Sequence, residues 1–316
     1  ATLLLGVCDK IAPGQLMGAL AYAHLPTLFV PSGPMATGTS NDQKVAVRQA
    51  YAAGEVGKDA LLAMECQAYH SPGTCTFYGT ANTNQLVLEA MGLILPGAAF
   101  VAPDSALRQA LTHHAATALA SQHAGSATYR SLADVVTEKS VINGVVALLA
   151  SGGSTNHTIH LVAIARAAGI ILTWEDIDAL SRVVPLLARV YPNGPVDINA
   201  FEAAGGVPTL MAHLHDVGLL HGDTLPAVGQ FSDQLTTPRL DQGQLVWEAA
   251  TPSTDTAVIS QPGAHFSATS GLRMLSGNMG NEVIKDSAVD TDHREVCATA
   301  RVFDSKHDVE RAYQRG

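Results

Sequence analysis

Basic residues are few in this 316-residue chain: 18 lysines and arginines stand against 28 acidic residues, a formal charge of -10. No Lys/Arg block occurs. That excludes a nucleic-acid surface, because such proteins neutralise phosphates with clustered cations, and it makes docking on anionic membranes unfavourable. An anionic small substrate stays open, since a few buried cations hold one whatever the overall charge. Cysteine is scarce too. Cys8, Cys66, Cys75 and Cys297 are too few and too scattered for a secreted disulfide framework. No run approaches the roughly 18 apolar residues of a membrane-crossing helix, and residues 1–7 lack the length and basic region of a signal peptide. The expectation is a soluble cytoplasmic protein.

Apolar residues make up 47% of the chain, enough for one large core or two smaller ones. ATLLLGVCDK reads as the end of a buried strand running straight into a functional loop, a place where natural chains seldom open, so an internal segment of a longer protein is expected. PTLFVP from Pro26 reads as a second short buried strand, and SGPMATGTSND as a loop. Helical periods are expected over residues 42–54, 58–69, 106–121 and 140–150, from about Thr83, and after GGSTNH. VVPLLARV and GGVPTLMAHLHDVGLL are expected to continue helically to about His221. Beyond residue 225, QLVWEAA, TAVISQPG, LRMLSGNMG, EVIKDSAV and TARVF are β-prone runs between turn residues. The fold expected is α/β: a helix-rich layered domain over residues 1–230, then the start of a β-rich, barrel-like domain over residues 231–316.

Cys8, Asp9 and Lys10 place a soft ligand, a hard oxygen ligand and an amine in consecutive positions. On these residues alone, a buried inert cysteine beside a surface ion pair is the alternative. Cys75 lies in a glycine-flanked loop feeding a helix N-terminus, where free N–H groups and the helix dipole favour a thiolate or a bound anion. Cys66 inside a helix and Cys297 in a β-like run read as structural, the latter as a small core residue. His113, His114, His213 and His215 lie in helices without metal-ligand spacing. His70, His157 and His160 are better placed. Ser154, Thr155, Asn156 and His157 offer hydroxyls, an amide and backbone N–H groups to a carboxylate or phosphate at a helix start; an ordinary N-cap is the alternative.

GVCDKIAPGQLMGAL, LPTLFVPSGPMATG, YHSPGTCTFYGTANTNQLVLEAMG, LLASGGSTNHTIHLVAIARAAG and GLRMLSGNMGNEVIKDSAV together resemble the dihydroxy-acid dehydratase and 6-phosphogluconate dehydratase family, along nearly the whole chain. GTCTFYGTANTNQ and VYPNGPVDINAFEAAGGVP look like the phosphogluconate branch. The resemblance implies a hydro-lyase that dehydrates 6-phospho-D-gluconate to 2-dehydro-3-deoxy-6-phospho-D-gluconate in the Entner–Doudoroff pathway, as a homodimer. It implies Cys8 and Cys75 as ligands of an iron–sulfur cluster of the [4Fe–4S] type, Asp9 as an oxygen ligand for Mg2+, and Lys10 as the lysine that some relatives carry carbamylated. Relatives have further metal ligands upstream, and a glutamate ligand and a base serine downstream of the point matching Gly316. No catalytic base is therefore assigned here, and the chain by itself is expected to be inactive with its cluster absent or incomplete. The alternatives are a dihydroxy-acid or unphosphorylated sugar-acid dehydratase, or a non-catalytic assembly module.

Overall fold

The computed structural model describes residues 1–6 and 8–315; Val7 and Gly316 lie outside the described residues. Strand β1 (Thr2–Leu4) pairs in parallel with β2 (Thr27–Phe29), Thr2 opposite Thr27. Helix α1 (Ile11–Leu20) makes the crossover between them and follows the CDK triplet directly. Pro13 sits in its first turn, where a missing N–H costs nothing. A single bridge from Phe29 to Ile94 extends the pair, and the remainder of this region is helical.

Helices α2 (Asn41–Ala52) and α3 (Lys58–Ala68) form a hairpin, and a capping box between Ser40 and Gln43 starts α2. Next come α4 (Thr80–Ala90), α5 (Ala106–Ala120), the short α6 (Leu132–Val135), α7 (Glu138–Ser151), α8 (His157–Ala167) and α9 (Trp174–Ser181). α10 (Ile198–Ala203) and α11 (Gly206–Asp216) complete the helical part. The centre is the contact of α4 with α7. Residues 143–151 of α7 are buried without interruption, as their apolar sequence demands. Gly144 lets α4 approach closely, because a Cβ there would meet Met91 and Val87. One apolar cluster joins these helices to β2, α5, α11 and residues as distant as Val258, Ile259 and Leu272.

The layered α/β and barrel-like expectation is overturned. β1 and β2 form only a two-stranded pair, too small to make a sheet layer. After residue 231, β3 (Thr236–Asp241) and β4 (Gln244–Ala249) form one antiparallel hairpin, and β5 (Arg273–Gly277) and β6 (Gly280–Ile284) form another. The hairpins do not pair with each other, so nothing closes into a barrel among the described residues. The physical cause lies in residues 251–272: TAVISQPG follows Pro252, carries Pro262 and Gly263 itself, and packs as an irregular segment. TARVF is likewise irregular.

VVPLLARV also departs from the helical expectation. Residues 186–190 run extended, with bridges from Leu186 to Ser267, Ala188 to Ile259 and Val190 to Val196. Pro185 disfavours helix for the residue before it, and the segment is apolar enough to be buried as a strand-like run. The last helix, α12 (Lys306–Tyr313), buries no residue.

Candidate functional site

Three helix N-termini meet where the sequence placed its candidate loops. CDK precedes α1, the Cys75 loop precedes α4 and GGSTN precedes α8; α8 packs on both α1 and α4. Their free N–H groups and dipoles favour negative charge in the space they share.

Buried polar side chains of α4 hold these loops. Asn82 is fully buried; its amide donates to the carbonyl oxygens of Cys75 (2.7 Å) and Phe77 (2.8 Å), and its Oδ1 accepts from Thr74 Oγ1 (2.6 Å). Thr83 Oγ1 accepts from Ser154 N at 3.0 Å, and Asn84 Nδ2 donates to Asp9 O at 2.7 Å. One turn of helix thus fixes the cysteine loop, the GGSTN loop and the CDK loop together. Thr80 adds a second tie, its Oγ1 lying 2.8 Å from Ser154 Oγ and accepting from Asn156 Nδ2 at 3.0 Å.

The Cys75 loop is braced from behind as well. Met35 N donates to Thr74 O and Thr74 N to Gly33 O, both at 2.9 Å. Gly73 adopts φ +121°, and a Cβ there would meet Met35 N at 2.5 Å, so only glycine fits that close approach. Ile198 N donates to Thr76 O at 3.1 Å, and Phe77 meets Tyr191 edge-on with centroids 5.6 Å apart. The PNGPVDIN segment therefore buttresses the cysteine loop. After α7, Gly152 at φ +61° turns the chain into GGSTN. Its carbonyl accepts from Asn193 Nδ2 (2.6 Å) and from the β6-side Lys285 Nζ (2.8 Å), whose burial lowers its pKa to about 8.

Cys8 is exposed and Cys75 partly buried; both are free thiols. Burial pushes the Cys75 thiol up, and Cys8 is near enough for its charge to add to that rise. The Lys10 ammonium donates to Asp9 Oδ2 at 2.5 Å and holds that carboxyl below the usual range; slight burial opposes, and His160 Nε2, 3.4 Å from Oδ1, assists. His157 is buried, stands edge-on to His160 at 5.5 Å, and has its pKa pushed down to about 3 by burial, then by His160. Ser154 and Thr155 are half-buried and Asn156 is exposed without capping its helix through its side chain. His70 lies exposed against Gln67 O. Cys66 is exposed on α3, and Cys297 is exposed in an irregular stretch, not the core residue expected of a β-like run.

Two thiols and one ionised carboxylate are the donor types that suit an iron–sulfur cluster and a hard divalent ion. Among the described residues, however, no three His, Cys, Asp or Glu side chains converge closely enough to hold a metal ion. The residues here fit the two-cysteine part of such a site and do not complete it.

Beside Cys75 opens a cleft of about 280 Å³, lined among others by Asn41, Lys44, Arg48, Phe77 and Tyr191. Its lining contains two cations and no carboxylate. Sequence reasoning missed Lys44 and Arg48, as well as Thr80, Asn82, Thr83 and Asn84. The readable signal for the latter was TANTN, a polar run at the start of a helix otherwise apolar enough to be buried.

The dihydroxy-acid/6-phosphogluconate dehydratase N-terminal family model matches residues 1–234, and the corresponding C-terminal model matches residues 257–316. Phosphogluconate dehydratases of Escherichia coli, Pseudomonas aeruginosa and Zymomonas mobilis are 53%, 52% and 50% identical to it, over 99%, 100% and 99% of this chain. Each alignment covers 52% of the relative, so the chain spans about half the length of the curated relatives it matches.

Proposed function

The chain belongs to the dihydroxy-acid/6-phosphogluconate dehydratase family, and from that premise we propose that the whole protein is a hydro-lyase converting 6-phospho-D-gluconate to 2-dehydro-3-deoxy-6-phospho-D-gluconate. The observation that carries this reading is the 50–53% identity to phosphogluconate dehydratases over nearly every residue of the chain. Removal of water from a 2,3-dihydroxy acid takes the C2 proton and expels the C3 hydroxyl, and the enol formed tautomerises to the 2-keto acid. Hydroxide is a poor leaving group and needs an electrophile.

In this reading Cys8 and Cys75 hold an iron–sulfur cluster and Asp9 holds a divalent ion, with Lys10 beside it. When bound, the cluster supplies a Lewis-acidic iron and requires no net redox change. The protein's own residues position these donors. Asn82 fixes the Cys75 loop through two carbonyls, and Asn84 fixes the backbone at Asp9. Lys10 and His160 keep Asp9 ionised. The N-terminal ends of α1, α4 and α8 favour the negative charge that grows on the substrate carboxylate as its C2 proton leaves. Ser154, Thr155 and Asn156 stand at the α8 end as donors to that carboxylate, whereas the buried His157 acts on the site through His160.

The test is keto-acid formation by the anaerobically prepared whole protein from 6-phosphogluconate, gluconate and 2,3-dihydroxyisovalerate. Preference for the phosphorylated acid is expected; preference for either of the others would refute the substrate.

A further inference from the structure

Lys44 and Arg48 sit four residues apart on α2 and both line the cleft beside Cys75. Residues at this spacing share one helix face, about 5–6 Å apart. Lys44 is only 8% exposed, and neither cation makes an ion pair among the described residues. No carboxylate lines the cleft with them, although acidic residues outnumber basic ones in the chain by ten, 28 against 18. Arg48 is exposed, and both cations border the cleft with no counter-charge in its lining, which leaves them open to an anion seated there. The other walls leave room for such a group: Asn41 and Thr76 supply polar side chains, and Tyr191 and Phe77 supply aromatic surface.

We propose that Lys44 and Arg48 form a subsite for the phosphate of a phosphorylated sugar acid, held in the cleft that Cys75 also lines. The inference rests on the dehydratase reading given above and deepens it. A phosphate presents three acceptor oxygens and up to two charges, which a guanidinium fork and an ammonium can share. A carboxylate alone satisfies one cation of this kind, so a phosphorylated acid makes fuller use of the pair than an unphosphorylated one. The same cleft is bounded by Phe77 and Tyr191, which already lock the cysteine loop against the PNGPVDIN segment. Seating the phosphate there would tie recognition of the distal end of the substrate to the loop that carries Cys75.

The experiment compares the whole wild-type protein with its Lys44→Met, Arg48→Gln, double and Lys44→Arg variants. Tm is recorded without ligand and with 6-phosphogluconate, gluconate or inorganic phosphate, and kcat/KM is measured on the two sugar acids. The expected result is an unliganded Tm that does not fall in Lys44→Met, together with loss of the extra stabilisation given by phosphogluconate over gluconate. The ratio of kcat/KM for the two acids should drop about tenfold or more in the double variant, with partial recovery in Lys44→Arg. A double variant that keeps the full preference for phosphogluconate overturns the subsite while leaving the dehydratase reading intact. A lowered unliganded Tm with no change in that preference makes the lysine structural and likewise overturns it. A whole wild-type protein that is stabilised by inorganic phosphate through Lys44 and Arg48 but never dehydrates phosphogluconate would support the anion subsite and refute the dehydratase reading.

Discussion

Residues up to Leu272 and residues 273–315 contrast sharply in how their side chains are used. Every fully buried residue among those described lies at or before Leu272, whereas Met279, Val296 and Val302 of the later stretch are 90%, 76% and 88% exposed. Both stretches contain regular elements with sound local signals. α12 has a serine cap, with Ser305 Oγ accepting from Asp308 N, and Arg311 pairs with Asp308. Capping and i,i+3 pairing start a helix, but each contributes only tenths of a kcal/mol to about one. Local signals form elements in both regions; the later stretch ties back through polar contacts such as Lys285 Nζ to Gly152 O, whereas the first region couples its elements through a shared core. That coupling, through Asn82, Thr83 and Asn84, is what brings three candidate loops to one place.

The sharpest way to break the contrast is to remove one coupling residue. Asn82→Ala leaves Cys75 O without its side-chain donor, at a cost of roughly 1–3 kcal/mol for an unsatisfied buried group, and weakens the ties of Phe77 O, which keeps Gly79 N, and of the Thr74 hydroxyl, which keeps Gly33 O. A loss of about 3 kcal/mol in denaturant unfolding is expected, together with faster thiol labelling of Cys75. Gly152→Ala comes next. Its φ of +61° and the nearness of Asn193 Nδ2 make a side chain strained, and a loss of about 1–2 kcal/mol is expected by the same measurement.

The pH dependence of stability should also belong to the first region. His157, with its pKa lowered to about 3 by burial, favours folding above pH 6.5, and this contribution is lost as pH falls from 6.5 towards 3. Glu89 works in the opposite sense. Backbone N–H groups of Ala99 and Gly97 favour its ionised form, but burial prevails and raises it to about 8, so its contribution is present below pH 4.5 and fades as pH rises through 8. Tm profiles of His157→Gln and Glu89→Gln should flatten on the acid and the neutral side respectively. The smallest effect is expected in the later stretch: Val302→Ser should change stability by no more than about 0.5 kcal/mol. Hydrogen exchange over residues 291–315 should be fast beside that of α4 and α7.

Much of this was legible in the sequence because its signals are local. Thr27–Phe29, the starts of α3 and α5, and the helix after GGSTNH follow from apolar runs, caps and periodicity. The position of Cys75 ahead of a helix follows from its glycines. Two things were not legible. VVPLLARV has the apolar content of a helix or a buried strand, and its partners Ser267 and Ile259 lie some 70 to 80 residues away, a pairing that no local pattern encodes. Lys44 and Arg48 read as the solvated face of an ordinary helix, because nothing nearby in sequence shows that the Cys75 loop and Tyr191 pack across from them. The barrel-like expectation failed for the same reason: β-prone runs were visible, but their pairing was not.

The central claim is that Cys8 and Cys75, held together by α4, are cluster ligands of a dehydratase. Iron and acid-labile sulfide analysis of the whole protein, purified anaerobically as wild type, Cys75→Ser and Cys66→Ser, with keto-acid formation from 6-phosphogluconate followed in parallel, tests it most directly. Iron, sulfide and turnover should be present in wild type and Cys66→Ser and lost together in Cys75→Ser; a Cys75→Ser protein that retains all three would contradict the account.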